Sequence, residues 1–349
     1  MKALTPSAHR ILSDERLIQK RDKWFSRLQN LFDGKKDAFN EKYIYTQSGV
    51  CPRPADPFLP YTHPEDWIIE CLELLAQTPD IESNRFVPPC VEYPIYGVHF
   101  IDKMFGADVF FKDGQWNARY LKTPIGSLKM PDLETDETWA LAKRATMAFL
   151  DADVRLPIFG LPTLSSALNI MVNLYGGEAL IAMIEEEDAA KHDLKVINDL
   201  IRTLHRWYIK TIPARQLQPV ISWERTQPPG FGQLCGCTTQ LLSGEMYDRL
   251  IAPLDDALLG DYPNGGMIHL CGAHTQHIPA FRAMKNLRAL QLNDRASHDL
   301  KYYLEGLRHD QIIYLNQCEG MTIEQAIEIS KGERIVFPCG MDAPMKPST

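Results

Sequence analysis

A histidine and a cysteine close a short apolar run in Gly265-Gly266-Met267-Ile268-His269-Leu270-Cys271-Gly272. Side chains at i and i+2 of a strand leave the same face, so His269 and Cys271 share one space. An imidazole beside a thiolate suits zinc better than magnesium or calcium, which prefer oxygen. Zinc needs at least a third protein ligand. A second strand-like stretch, Arg334-Ile335-Val336-Phe337-Pro338-Cys339-Gly340, also ends in a cysteine. Cys339 is therefore the first choice for that ligand, ahead of the Cys235-Gly236-Cys237 pair and then Cys318. Two thiolates and one imidazole leave a fourth position for water or substrate. There the metal acts as a Lewis acid that lowers the pKa of a bound thiol, alcohol or water. Buried cysteines and a satisfied core histidine are the competing reading.

Other polar residues gather around the same motif. His274 and His277 follow it at a helix start, as substrate contacts, donors to the ligands, or exposed first-turn residues. Asn293 and Asp294 can hold a polar substrate group or orient His269; turn formation and helix capping explain them equally well. His274, Asn293 and Asp294 are the catalytic candidates.

These residues need strands that end at a common face. In the last third of the chain, strand ends fall near Cys271, Asp294, Asn316 and Cys339, roughly 22 to 24 residues apart, the rhythm of βα units feeding a parallel sheet. Helices are expected over 278–285, 297–308 and 323–330. Upstream, helical spacing marks 137–150 and the amphipathic stretch 188–209, with strands at 154–159 and 217–223. Residues 226–232 read as a Pro/Gly loop with Cys235 and Cys237 beyond it. A helical segment to about Phe39 and a proline-dense stretch over 49–64 form an N-terminal extension, residues 1–85, packed on a barrel of residues 86–349. Polar residues at the carboxyl ends of successive strands favour a (β/α)8 TIM barrel with additional N-terminal helices, because those ends share one face. An open doubly wound sheet would carry a Gly-rich phosphate loop, and no such motif is present.

The formal charge of −8 argues against a nucleic-acid surface. No apolar run is long enough to cross a bilayer, and residues 1–5 are not followed by the apolar segment of a signal peptide. A cytoplasmic, reducing location is expected, which leaves the eight cysteines free for metal or burial. No interface can be read, so a homodimer stays open.

Several runs together resemble the uroporphyrinogen decarboxylase-like superfamily. They are Pro157-Ile158-Phe159-Gly160, the Gly176-Gly177-Glu178 helix start with its acidic turn, and Phe231 to Pro253, which contains Leu242-Ser243-Gly244-Glu245 and Ala252-Pro253. His269-Leu270-Cys271-Gly272 is the fourth. The resemblance spans most of the chain from about Phe86 and implies a (β/α)8 barrel. Its zinc-dependent methyltransferase branch moves methyl groups between a corrinoid protein and a thiol, or from methylated donors to the corrinoid. That implies zinc on His269, Cys271 and Cys339, a corrinoid (methylcobalamin) carried by a partner protein, and a small-molecule methyl donor or thiol acceptor. Two departures stand out: Cys339-Gly340 reverses the usual Gly-Cys order, and only ten residues follow Cys339, so the barrel-closing helix is expected to be either missing or supplied by the N-terminal segment. The arginine-rich signature of the true decarboxylases is absent, so a metal-free decarboxylase or lyase using Arg53, Arg85 or Arg225 is second. A non-catalytic ligand-binding relative with structural zinc is third.

Overall fold

The computed structural model describes residues 2–35, 44–47, 52–77, 89–219 and 225–339. Eleven strands are named in chain order: β1 (Ile44–Gln47), β2 (Cys90–Glu92), β3 (Asp108–Lys112), β4 (Gln115–Arg119), β5 (Ile158–Gly160), β6 (Leu217–Gln218), β7 (Gly232–Cys235), β8 (Gly266–Cys271), β9 (Leu287–Asn293), β10 (Ile312–Leu315) and β11 (Ile335–Cys339). Two parallel sheets result, one of order β1-β11-β10-β9-β8-β7 and one of order β2-β5-β6, with β3 and β4 as a separate antiparallel hairpin. The molecule is thus a mixed α/β protein with helices between parallel strands. The described residues contain no closed barrel, and residues 220–223 of the expected strand 217–223 lie outside them.

Strand alternation sorts the core into two parts. Ile268, Leu270, Leu290, Leu292, Ile313 and Leu315 face the helices in the large apolar cluster. The alternate positions Met267, Ala289, Ile312, Tyr314 and Val336 meet Cys90 and Ile158 of the other sheet in a second cluster. One face of each sheet therefore looks into a shared interior.

The amino ends of the strands are closed by the helix Glu15–Phe32. Asp14 caps it by accepting from Arg16 N (2.8 Å), and its apolar stripe Trp24, Phe25, Leu28 and Phe32 enters that second cluster. The Phe32 ring lies 4.7 Å from Phe231 and 6.4 Å from Tyr314. Arg288 donates to the Phe32 carbonyl at 2.9 Å, filling an acceptor that the helix end leaves open. With that end plugged, the carboxyl ends remain for chemistry.

The expected helices are present at 137–151, 187–211 and 323–330. The second expected segment, 297–308, is divided into Arg295–His298 and Leu300–Gly306. The larger difference is β7: beyond the expected loop, Gly232–Cys235 is a strand that the sequence does not mark, so Cys235 sits at a strand's carboxyl end beside β8. Four residues with a glycine, a glutamine and a cysteine carry no alternation to read. Pairing with β8 makes them a strand. Among the described residues no single helix is long and apolar enough to cross a membrane.

Candidate metal centre

Strand register brings the donors together. Cys235 of β7 pairs with His269 of β8, His269 with Gln291 of β9, and Cys271 with Asn293 one level further on. The Cys235-Gly236-Cys237 turn then folds back over β8. Gly236 N donates to the His269 carbonyl at 2.8 Å, extending the ladder one step past β7. Glycine is required there, since a Cβ at 236 would lie 2.8 Å from Ile268 Cγ2 and 3.3 Å from Leu270 Cδ2. This approach sets Cys237 beside Cys235, with sulfurs 3.5 Å apart. Gly272, at φ +83°, turns the chain away just after Cys271.

The ligand atoms of Cys235, Cys237 and His269 all lie within 4.8 Å of one another. Cys271 Sγ stands 3.1 Å from His269 Nε2 and also contacts Cys237. Two or three sulfurs with one imidazole nitrogen form a soft donor set that fits zinc. The imidazole is oriented for it. Gln291 Oε1 can only accept, so the proton sits on Nδ1 and the Nε2 lone pair faces the sulfurs. Gln291 is fixed in turn, its amide donating to Asn316 Oδ1.

The thiols do not share one protonation state. Contact with Cys237 and with His269 pulls Cys271 down to about 3 against the opposing effect of burial. The Cys237 contact likewise lowers Cys235, whereas Cys237, between two sulfurs, is pushed up. Three crowded thiols resist full deprotonation without a cation. A divalent metal relieves that repulsion.

Around this cluster the candidates separate. Asn293 is half-buried, and its amide donates to Cys271 Sγ at 3.6 Å. Asp294 is exposed at φ 47°, ψ −123°, a strained backbone for a residue with a Cβ, and accepts from Asn293 at 3.2 Å. His274 is fully buried: burial lowers it to about 4, so it is neutral, and Nε2–H donates to the Cys271 carbonyl at 2.5 Å. Its Nδ1 meets Thr239 Oγ1 at 3.1 Å, so His274 ties the end of β8 to the turn carrying Cys237. His277 is buried against Tyr247 and donates to the Thr239 carbonyl at 2.8 Å.

Cys318 lies in a tight turn bridged to Met321 and is outside the cluster. Cys339 ends β11, and its backbone pairs with Gln47; β9 and β10 separate β11 from β8. Its side chain lies outside the described residues, as does Arg85. Arg53, considered for a carboxylate substrate, pairs with Glu92 at 3.1 Å. Gln291 carries no mark in the sequence reading, and Asn316 enters it only as a strand end. The available signal was a glutamine on the same strand face as Asn293.

The fold and site define a parallel α/β protein with a thiolate-imidazole cluster at the carboxyl ends of its strands. No protein-family model matches the chain, and no curated protein matches it. A solved structure described as a methyltransferase from Methanosarcina mazei has the same fold, with a TM-score of 0.61 over 92% of this chain and 94% of that chain at 12% identity.

Proposed function

We propose that this chain is a zinc-dependent methyltransferase, moving a methyl group between a corrinoid protein and a small thiol or methylated substrate. The observation that carries the reading is the gathering of Cys235, Cys237 and His269 within 4.8 Å at the carboxyl end of a parallel sheet. In this reading the two parallel sheets are parts of one (β/α)8 barrel, the geometry that places active sites at that end. The similarity in fold to a structure named a methyltransferase supports the activity class. Reducing, cytoplasmic conditions suit the exposed chemistry of three thiols.

Zinc bound here would supply Lewis acidity that favours the thiolate form of a substrate sulfur. His269, Cys235 and Cys237 are assigned as the fixed ligands. Cys271, half-buried and touched by the Asn293 amide, would be a further sulfur donor at the side of the site that substrate meets. Gln291 holds the imidazole, His274 holds the Cys237 turn against β8, and Asn293 with Asp294 forms the polar rim that substrate meets first.

The test uses zinc-loaded protein with methylcobalamin and 2-mercaptoethanol, following the corrinoid spectrum and the methyl thioether by mass. Transfer is expected, with a fall of at least about 100-fold in Cys237→Ser, given the weight of ligand contacts. No transfer by the zinc-loaded protein, with free methylcobalamin or with a methylated corrinoid protein, would contradict the reading. One observation favours a second reading: Cys271 brings a fourth donor to the cluster, and a closed four-ligand shell is structural. A chelator that unfolds the protein, instead of silencing it, would favour that non-catalytic relative.

A further inference from the structure

The turn that gathers the metal donors also prepares two of them for a second chemistry. Gly236, at φ −106° and ψ 18°, bends the chain between Cys235 and Cys237. A fully extended pair would span roughly 7 Å between Cα atoms, and the bend shortens that span into the range a disulfide accepts. The sulfurs stand 3.5 Å apart and need to close by only about 1.5 Å to bond.

The turn is held from three sides. Gly236 N donates to the His269 carbonyl at 2.8 Å, and the Gly236 carbonyl accepts from Thr239 N at 3.0 Å and from Thr239 Oγ1 at 2.7 Å. Thr238 N donates to Asn169 Oδ1 at 3.2 Å. The backbone itself therefore keeps the two sulfurs side by side. Both cysteines are half-buried, within reach of a small oxidant, whereas Cys71 and Cys90 are sealed in the core. Cys318 lies in its own turn against Met321. Cys271 is the competing partner, since it touches Cys237. It belongs to another strand, however, and is engaged by His269 Nε2 and the Asn293 amide.

We propose that Cys235 and Cys237 are an oxidation site, converted by a peroxide to a disulfide that expels the zinc. The effect on zinc rests on the metal-centre reading above. One thiol gives an electron pair to a peroxide oxygen; the O–O bond breaks, water leaves and a sulfenic acid remains. The second sulfur attacks the first, the S–O bond breaks, and the oxygen leaves as a second water. Two thiols and one hydrogen peroxide thus become one disulfide and two waters, with two electrons passing from sulfur to oxygen. The disulfide takes away two of the three assigned ligands, leaving fewer protein donors than zinc needs. It also protects the site: a sulfenic acid without a neighbouring thiol goes on to sulfinic acid, which thiol reductants do not reverse.

The experiment treats zinc-loaded protein, reduced and freed of excess thiol, with equimolar hydrogen peroxide. A chelating dye follows zinc release, and the tryptic peptides are weighed after alkylation with iodoacetamide. Cys235 and Cys237 share one such peptide and Cys271 lies on the next, so the two possible bridges are told apart directly. The shared peptide should lose two hydrogens and take no alkyl group, with about one zinc released per disulfide. Dithiothreitol should restore both thiols and zinc binding, and Cys271→Ser should form the same disulfide at the wild-type rate. A sulfinic acid in place of the disulfide, a Cys237–Cys271 bridge, or zinc retained by the disulfide form would overturn the proposal. Reduced wild type that takes up no zinc would instead remove the metal-centre reading itself, and this proposal with it.

Discussion

The two ends of the parallel strands obey different rules. At the amino end, the helix Glu15–Phe32 drives Trp24, Phe25, Leu28 and Phe32 into an interior shared with Phe231 and Tyr314, and Arg288 satisfies the carbonyl of Phe32. That end is apolar and filled. At the carboxyl end stand three thiols, an imidazole, two buried histidines and a strained Asp294, with buried polar atoms such as Asp102 Oδ1 and His277 Nδ1 lacking partners. Crowded like groups, backbone strain and orphaned polar atoms all cost stability. The plugged end carries the stability that lets the other end hold chemistry, as expected when strands of one direction share a functional face.

If that division is right, damage to each end should stay at that end. Phe32→Ala should cost about 3–5 kcal/mol in urea unfolding, the usual loss for a buried phenylalanine, with zinc content per folded chain unchanged. Loss of zinc from the folded variant would mean that the ends are coupled. Gln291→Leu should do the reverse. It fills the same volume but frees the His269 ring, so zinc affinity should drop about 10- to 100-fold, read by competition with a chelating dye. An unchanged affinity would show that Gln291 only packs.

The smallest effect is expected at Asp294, where φ 47° suits glycine. Asp294→Gly should raise stability by about 1 kcal/mol, the lower part of the range for such strain. The same substitution should lower turnover if Asp294 belongs to the substrate rim. A stability loss would mean that its side-chain contact with Asn293 outweighs the strain.

How far the sequence could be read depended on alternation. In β8 and β9 apolar residues face the helices at every second position, so the polar members, His269, Cys271 and Asn293, stood out as a facing set. β7 has no such contrast, and Cys235 and Cys237 ranked behind Cys339 for that reason. What draws them to His269 is the Gly236 amide bonding to the His269 carbonyl, a contact between residues 33 positions apart in sequence that no local pattern announces. The helix Ile323–Ser330, with its Thr322–Gln325 capping box, was fully readable because its signals are local.

The most direct test of the central claim is the zinc content of reduced protein purified as wild type, Cys235→Ser/Cys237→Ser and Cys339→Ala. The Cys-Gly-Cys turn with His269 as the metal centre predicts about one zinc per chain in wild type and in Cys339→Ala, and almost none in the double variant, all three folded. Zinc retained by the double variant and lost from Cys339→Ala would contradict it and return the third ligand to β11.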